Sequence, residues 1–297
     1  MTDTTASLLH KTQSAKDLQG VVRTMKAMAA TSISQYENAV QALDDYNQNL
    51  QLALLACFKA DTQFLISQAA APIKKNAAVG VLVFGSDQGL VGQFNESMSD
   101  YVNTQLTNIP GEKKIWVLGE RLESRLRESD LTISERFPLP NSIAAISPLV
   151  SRILLDLENS YERGDINEVY IYHHQPTGGA SYRPVAQRLL PLDNNWQASI
   201  RQQSWPSKNI PEVIGGSHRA LLGFIHEYLF ITLFRACADS LASENASRLA
   251  AMQRAEKNID ELLEHMQRKY HQLRQAGIDE ELFDLISGFE ALQIKST

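Results

Sequence analysis

The distribution of proline and glycine constrains this chain more than any other feature of its sequence. Residues 1–71 contain no proline and a single glycine, Gly20, and residues 212–297 contain no proline. Proline breaks a helix because it lacks a backbone donor and clashes with the preceding turn, and glycine weakens a helix. Both ends of the chain are therefore predicted to form long helices, with the helix breakers gathered in the middle.

Apolar residues in both ends recur at steps of mostly three and four, the spacing that lines one face of a helix. In the first segment they are Leu18, Val22, Met25, Ala29, Ile33, Tyr36, Val40, Leu43, Leu50 and Leu54. In the last segment they are Leu241, Ala246, Leu249, Met252, Ile259, Leu263, Met266, Tyr270 and Leu273. A helix with one narrow apolar seam cannot bury it alone, so we expect the two helices to pair as an antiparallel coiled coil.

The middle of the chain alternates between strand patterns and helix patterns. The stretches AAVGVLVF, KKIWVLG and INEVYIYHH are predicted as buried strands, and FNESMSDYVNTQL, ERLESRLRES and PLVSRILLDLENSYERG as the helices between them. This alternation predicts a mostly parallel sheet with crossover helices. The less regular residues 181–211 are expected to add an edge strand and a loop.

The predicted fold class is α/β, with a central Rossmann-like domain inserted between two long helices that form an antiparallel coiled coil. We assign residues 1–71 to the N-terminal coiled-coil helix, 72–211 to the central α/β domain and 212–297 to the C-terminal coiled-coil helix. A chain of 297 residues with 43% hydrophobic content is large enough to bury a core in such a domain.

Composition argues against several classes of protein. A net charge of -6 disfavours a general nucleic-acid binder, because neutralising phosphates needs a basic surface. The cysteines, Cys57 and Cys237, lie in apolar helical runs, so no disulfide framework is expected. The N-terminus lacks the pattern of a secretory signal, and the apolar residues 219–238 are interrupted by charges at Glu227 and Arg235. The sequence therefore predicts a cytoplasmic protein.

A turn punctuated by glycines, GSDQGLVGQFN, follows the first predicted strand. The spacing of Gly85, Gly89 and Gly92 matches neither the dinucleotide fingerprint nor the P-loop, and no lysine follows to reach a phosphate. Asp87 would also place a negative charge where a phosphate would bind. We expect a structural turn whose glycines supply positive φ and close packing, and nucleotide binding by an α/β enzyme is the less favoured alternative.

His173 and His174 are the next candidates for chemistry. They stand where a predicted strand ends, and adjacent side chains on a strand point to opposite faces, so the two are not expected to share a metal ion. We expect ordinary strand-end or surface histidines. The sequence has no G-x-S-x-G elbow and no H-E-x-x-H motif, so no catalytic residue, cofactor site or metal site is predicted.

Basic residues lie near the far ends of both predicted helices. Arg23 and Lys26 flank Met25 in VVRTMKAMAATS, and Arg274 and Gln275 lie in RKYHQLRQAGIDEEL. Two interpretations stay open, a solvated coiled-coil face and a contact surface for a surrounding partner. Composition alone favours the solvated face.

The two ends together carry a family resemblance. TQSAKDLQGVVRTMKAMAATSISQYENA resembles the N-terminal helix of the gamma subunit of rotary, F-type ATP synthases. SLASENASRLAAMQRAEKNIDELLEHMQRKYHQLRQAGIDEELFDLISGFEAL resembles the C-terminal helix of that subunit, and GSDQGLVGQFN is similar to the turn after the first strand of its central domain. The likeness covers nearly the whole chain and is weaker between about residues 111 and 211.

The resemblance implies a central rotor subunit without an active site. In that family the paired helices lie inside a hexamer of alpha and beta subunits, and the α/β domain contacts the epsilon subunit and the membrane ring. Ion flow turns the ring and the rotor, which drives the catalytic sites of the hexamer through their affinity states. Nucleotide is bound by the hexamer, so this chain is expected to hold no nucleotide or other cofactor, and to lie peripherally at the cytoplasmic face of the membrane.

Four residues match positions that contact the hexamer in the family. Arg23 and Met25 fall on a Lys/Met segment that faces the lever region of the catalytic subunits. Arg274 and Gln275 fall on an Arg-Gln pair that contacts the catch loops of the hexamer. The resemblance implies that these four side chains are partner contacts.

Other positions match less uniformly. Arg248 and Asn258 match the family's C-terminal helix, whereas Asp279 stands where the family usually has threonine. Gln88 and Val91 stand where a basic residue and a cysteine are common. These departures fit either the main ATP synthase of a cell or a second ATPase of the same architecture.

An unrelated coiled-coil adaptor with an inserted α/β module is the other alternative. Such an adaptor is expected to be a stable monomer or homodimer. A rotor subunit is instead expected to be poorly soluble by itself and to copurify with ATPase catalytic subunits. The choice between protons and sodium ions lies in another subunit.

Overall fold

The structure is a computed structural model that describes residues 4–60, 77–129, 131–178, 181–192, 194–209, 213 and 217–294. The helices are α1 (Thr5–Ala60), α2 (Phe94–Thr107), α3 (Glu120–Glu128), α4 (Ile143–Glu162), α5 (Asn194–Arg201) and α6 (Ser217–Ile294). The strands are β1 (Ala78–Phe84), β2 (Lys113–Leu118), β3 (Ile133–Phe137), β4 (Ile166–Gly178) and β5 (Ser181–Leu190).

The chain divides into two compact units. We call Met1–Met28 with Ala250–Thr297 the helix-pair unit, and Ala29–Leu249 the α/β unit. The helix-pair unit contains the start of α1 and the end of α6. The α/β unit contains the sheet, its covering helices and the remaining parts of α1 and α6.

The two long terminal helices predicted from the absence of proline are confirmed. α1 has 56 residues and α6 has 78. Gly20 lies on an open face of α1, where an added Cβ would meet nothing within 4 Å. The boundaries predicted at residues 71–72 and 211–212 lie outside the described residues.

The sheet has five strands in the order β3-β2-β1-β4-β5. β1 pairs in parallel with β2 and β4, β2 pairs in parallel with β3, and β4 pairs with β5 in the antiparallel sense. Parallel neighbours need crossover connections, and α2, α3 and α4 provide them in turn. The predicted mostly parallel sheet with a late edge strand is confirmed.

Two short elements were not predicted. β3 has the sequence ISERF, whose Glu135 and Arg136 are typical of the charged residues that protect a sheet edge. Its five residues give too short a pattern for a strand prediction. α5, the helix Asn194–Arg201, lies within the stretch expected to be a loop.

Helices cover both faces of the sheet, which explains why β1 is apolar at nearly every position. Val81 and Val83 pack on one face against Met98 of α2 and other side chains of α2 and α3. Leu82 and Phe84 pack on the opposite face in a cluster that also contains residues of α4 and α6. This alternation of neighbouring side chains fixes the register of the central strand.

The most apolar part of α6 packs within the α/β unit. By length and composition α6 has one window, of mean hydropathy 1.4, that would suffice to cross a membrane, and 39% of that window is buried in the structure. Leu229, Leu233 and Cys237 belong to the cluster against the sheet, and Leu221 and Ile231 belong to a cluster with α1 and α5. Packing against neighbouring elements therefore accounts for the apolar character of these residues.

Candidate functional site

A seven-residue repeat of buried side chains forms the seam of α1. These side chains, each at most 8% exposed, are Leu8, Ala15, Val22, Ala29 and Tyr36. On α6 the buried Met252 and Ile259 are followed at the same interval by the half-buried Met266 and Leu273. A period of seven is that of a left-handed coiled coil, in which one narrow stripe faces the partner helix.

One predicted seam residue lies outside the seam. Leu18 is 53% exposed, although its spacing placed it among the buried residues. The neighbouring Gln19 donates a hydrogen bond from Nε2 to Asp260 on α6. Because the line of contact passes on the side of Gln19, the Leu18 side chain is left facing outwards.

Arg23 and Met25 lie beside the buried cluster of Val22, Met252 and Ile259 in the helix-pair unit. Met25 is half-buried against a cluster that contains Val22 and Met252. Arg23 Nε lies 3.0 Å from Glu256 Oε1 and Lys26 Nζ bonds the other oxygen of that carboxylate. The hydrogen bonds from Lys26 and then Arg23 lower the pKa of Glu256 below its ordinary value. The Arg23 side chain is 60% exposed, so this pairing orients the guanidinium more than it stabilises the fold.

The helix pair ends before α6 does. Thr12 Oγ1 lies 3.8 Å from Met266 Sδ, so these two residues are opposite each other in the pair. In an antiparallel pair, a residue earlier in α1 lies opposite a residue that is later in α6 by the same number of positions. This register places Leu273 opposite Thr5, the first residue of α1. α6 nevertheless continues to Ile294, and the described part of α1 has no residues beside that extension.

The unpaired extension of α6 exposes large apolar side chains. They are 51–75% exposed and comprise Ile278, Leu282, Phe283, Leu285 and Ile286. Exposed apolar residues clustered in this way are typical of an interaction surface. Sequence reasoning did not single out these residues. The sequence nevertheless shows an apolar residue at every fourth position from 278 to 282 to 286. These positions lie beyond the last residue of α6 that α1 can pair with.

Arg274 and Gln275 lie where the paired part of α6 passes into the extension. Both are exposed, and among the described residues neither makes a hydrogen bond or an ion pair. Glu256, the partner of Arg23, precedes Arg274 by a length of helix of about 27 Å. The four predicted contact residues thus form two separate surfaces, one at Arg23 and Met25 and one at Arg274 and Gln275.

The glycine turn after β1 is closed by its own side chains. Asp87 accepts hydrogen bonds from the backbone nitrogens of Glu120, at 2.9 Å, and Leu139, at 3.0 Å. Asn95 accepts a bond of 3.0 Å from the backbone nitrogen of Ser86 and donates one of 2.7 Å to its hydroxyl. The Asp87 carboxylate therefore occupies the N-terminus of α3, where an anion would otherwise be favoured.

Two of the three glycines meet the structural expectation. A Cβ on Gly85 would lie 2.2 Å from Leu122 Cβ, so close packing excludes any side chain there. Gly92 has φ of 56°, in the left-handed region. Gly89 meets neither condition, because an added Cβ would have no neighbour closer than 3.9 Å. Leu90 adopts φ of 63° and is 62% exposed, so the turn holds an apolar side chain outwards.

The two adjacent histidines face opposite sides of β4, as predicted, but both are buried. The expected strand-end or surface position was wrong, because β4 continues to Gly178 and pairs with β5. The His173 ring lies 6.4 Å from the ring of Phe84, and His174 Nε2 lies 3.0 Å from Ser97 Oγ. Burial lowers the pKa of His173 to about 4 and that of His174 to about 3, so both are neutral at neutral pH.

The described part of the chain contains no ready set of metal ligands. Within those residues no three His, Cys, Asp or Glu side chains converge as metal ligands. The imidazole of His174 instead contacts the aromatic rings of Phe94 and Tyr182, with ring centroids 4.2 and 4.9 Å away. His174 therefore acts as a packed core residue.

Arg248 is held by its own helix. It donates to Glu244 at 2.6 Å and to Asn245 at 3.1 Å. Nearby, Tyr182 donates to Ser247 Oγ at 2.9 Å, and that hydroxyl donates to the backbone oxygen of Val91. Ser247 therefore attaches the glycine turn and β5 to α6, whereas Arg248 bonds only residues of its own helix in these contacts. Asn258, the other matched residue, is exposed.

Known proteins resemble this chain along nearly its full length. A family model described as ATP synthase matches residues 4–292. The ATP synthase gamma chain of Haemophilus influenzae (strain PittGG) is 25% identical over 292 residues, covering 95% of this chain and 97% of that protein. The ATP synthase gamma chain of Polynucleobacter asymbioticus is 22% identical over 303 residues, covering 97% and 99%. A solved chain from the Euglena gracilis mitochondrial ATP synthase (OSCP/F1/c-ring, rotational state 3) has a TM-score of 0.69 at 16% identity, covering 99% of this chain and 96% of that one.

Proposed function

The chain belongs to the ATP synthase gamma family, and from that membership we propose that it is the central-stalk rotor subunit of a membrane ATP synthase. Rotation of an ion-driven membrane ring turns this chain. The chain in turn forces the catalytic sites on the surrounding hexamer through their conformational cycle. The observation that carries the proposal is the family match over residues 4–292.

The partners in this role are the alpha and beta subunits of the hexamer, the epsilon subunit and the membrane ring. The chain is non-catalytic and lies peripherally at the cytoplasmic face of the membrane. Nucleotide is bound by the hexamer and not by this chain. The glycine turn supports this assignment, because no lysine follows it and because it carries the Asp87 carboxylate, whose negative charge would repel a phosphate.

We assign the coiled coil to residues 1–71 and 212–297 and the α/β domain to residues 72–211. The hexamer surrounds the far ends of the two helices. Arg23 and Met25 face the lever region of the catalytic subunits, and Arg274 and Gln275 contact the catch loops. The exposure of Arg274 and Gln275, together with the apolar side chains that follow them on α6, supports a contact surface that is complete only in a complex.

The Arg274 surface is tested by the double variant Arg274→Glu with Gln275→Ala in the assembled ATPase. We expect it to assemble with the hexamer, because neither side chain supports the fold of the described chain. We expect it to pump fewer ions per ATP hydrolysed, because the charge reversal disrupts a contact that transmits rotation. The measurements are ATP hydrolysis and ATP-driven ion uptake in the same vesicles.

The matched control is Arg219→Glu with Gln202→Ala, which makes the same two changes at exposed side chains of the α/β unit. It is expected to leave the ratio of ions pumped to ATP hydrolysed close to that of the parent complex. Parental hydrolysis and pumping by the Arg274 and Gln275 variant would show that these two residues are not coupling contacts.

A further inference from the structure

A cavity of about 720 Å³ that is open to solvent lies in the α/β unit, between α1, α6 and the β4–β5 pair. Its volume falls within the range of about 300–1,000 Å³ that is common for small-molecule sites. The charged residues in its lining are Glu37, Asp44, Arg235 and Asp239, and His173 lies on its sheet side. The cavity is separate from the surfaces assigned to rotation, so binding of a ligand in it is independent of the proposed function.

The charges of the cavity lining are not balanced. Arg235 hydrogen-bonds to Asp44, which neutralises one carboxylate of the three. Asp239 is only 8% exposed, and among the described residues it makes no hydrogen bond or ion pair. Glu37 is exposed at the rim and is likewise unpaired within the described chain. A carboxylate of such low exposure without a hydrogen bond is costly, even with the nearby charge of Arg235, and residues with such a cost are frequently retained for binding.

His173 adds a second unsatisfied polar group without adding charge. The residue is 5% exposed, and its Nδ1 has no hydrogen-bond partner. Burial keeps the imidazole neutral at neutral pH. Arg235 is therefore the sole cation in the described lining, where it bonds Asp44 and partly offsets the charge of Asp239, so that one cation faces three carboxylates. The cavity consequently disfavours anions and favours a positively charged guest.

The shape of the cavity also selects its guest. The Asp44–Arg235 bond and the 3.1 Å bond from Tyr46 to Glu227 show that α1 and α6 run antiparallel here, which brings Glu37 to the Asp239 end. Uncharged polar residues of the lining, Asn47, Gln51 and Thr232, lie at the other end. The polar lining of α1 from residue 37 to residue 51 extends over about 21 Å of helix.

We propose that this cavity binds a small elongated organic cation. An ammonium or guanidinium group lies at Glu37 and Asp239, donating hydrogen bonds to the buried carboxylate, and the rest of the molecule extends along the uncharged polar end. A metal ion fits less well, since no three metal ligands converge within the described residues. Charge-assisted hydrogen bonds to Asp239 supply the main attraction.

Isothermal titration of the purified ATPase that contains the full-length chain with agmatine, which carries a guanidinium and an ammonium group, tests the proposal. We expect saturable binding of one agmatine per chain. Asp239→Asn and Glu37→Gln are each expected to weaken binding by about tenfold or more, because each removes a charge from the binding end. Asp100→Asn, which removes an exposed carboxylate from α2, is expected to leave the affinity unchanged. The uncharged analogue 1,4-butanediol is expected not to bind.

Two results would overturn the proposal. One is the absence of saturable agmatine binding by the unaltered chain. The other is an equal loss of affinity in the Asp100 control, which would show general attraction to an acidic surface. Glu37 is exposed at the rim, so Glu37→Gln decides the question even if Asp239→Asn does not fold.

Discussion

At the scale of single residues, Asp87 shows how one carboxylate fixes a turn. Its two oxygens join the first residue of α3 to the backbone at Leu139, which are distant from each other in the sequence. A carboxylate at a helix N-terminus is favoured both by its hydrogen bond and by the helix dipole. Asp87 therefore connects three parts of the α/β unit.

Replacing Asp87 with alanine should destabilise the α/β unit by about 1–3 kcal/mol, because two backbone donors lose their acceptor. Urea unfolding of the full-length chain measures the change. Asp100→Ala is the matched control, since Asp100 is an exposed aspartate whose carboxylate makes no hydrogen bond in the described chain. Its effect is expected to stay within about 0.5 kcal/mol. Equal stability of the two variants would contradict the role assigned to Asp87.

The buried histidines predict a loss of stability in mild acid. Burial lowers their pKa values in the folded chain to about 4 and about 3, whereas unfolded histidine titrates near 6.5. The stability that they contribute is present above about pH 6.5 and is lost as the pH falls towards about 4, because the unfolded chain binds more protons. Each histidine contributes a slope of up to about 1.4 kcal/mol per pH unit in this window.

The variant His174→Gln should reduce that slope by about 1 kcal/mol per pH unit between about pH 6 and pH 5. Urea unfolding at several pH values measures it, with His10→Gln, at an exposed position, as the control. Burial raises the pKa of Asp239 to about 6, so protonation of Asp239 favours the folded chain as the pH falls. This contribution is opposite in sign to that of the histidines, and it is the same in the parent and in both variants. An unchanged slope in His174→Gln would refute the neutral, buried state of this residue.

These residues also show where sequence reasoning stops. The acidic side chain and the missing lysine in the glycine turn sufficed to disfavour a phosphate loop. The actual partners of Asp87 lie 33 and 52 positions away in the chain, so they become visible only in the fold. The burial of His174 depends on β5 and α2, which local patterns do not place beside it.

At the scale of helices, a thin seam explains the pairing of α1 with α6. Small or medium side chains such as Ala15 and Val22 occupy the repeat, which allows the helices to approach closely. Three- and four-residue steps in the sequence identified the correct face of each helix. They did not exclude Leu18, because the exact line of contact depends on polar bonds such as that from Gln19 to Asp260.

Val22→Ala should destabilise the helix-pair unit by about 1–3 kcal/mol, because Val22 is buried against Met252 and Ile259. Leu18→Ala, one turn earlier on the same helix, removes a side chain that is 53% exposed and should cost less than about 0.5 kcal/mol. Hydrogen exchange of the backbone amides around both sites measures the difference. Faster exchange in Leu18→Ala than in Val22→Ala would mean that the seam is wrongly assigned.

At the scale of the whole molecule, the described chain exposes a surface suited to binding a partner. The described α6 exposes an apolar extension, and the glycine turn after β1 carries an aspartate that bonds the N-terminus of α3. The long helices, the inserted α/β domain and the mostly parallel sheet were all accessible from the pattern of helix breakers and apolar spacing. The exposed extension of α6 could not be predicted in this way, because its exposure depends on the residue at which α1 begins.

Direct observation of rotation tests the central claim. The hexamer of the purified ATPase is fixed to a surface, and a bead is attached through a cysteine introduced at Asp100, an exposed position of α2, after Cys57 and Cys237 have been replaced. If the chain is the rotor, addition of ATP will drive continuous rotation of the bead in one direction, and an inhibitor of hydrolysis will stop it. A bead that stays still while the same complexes hydrolyse ATP at the parental rate would contradict the account.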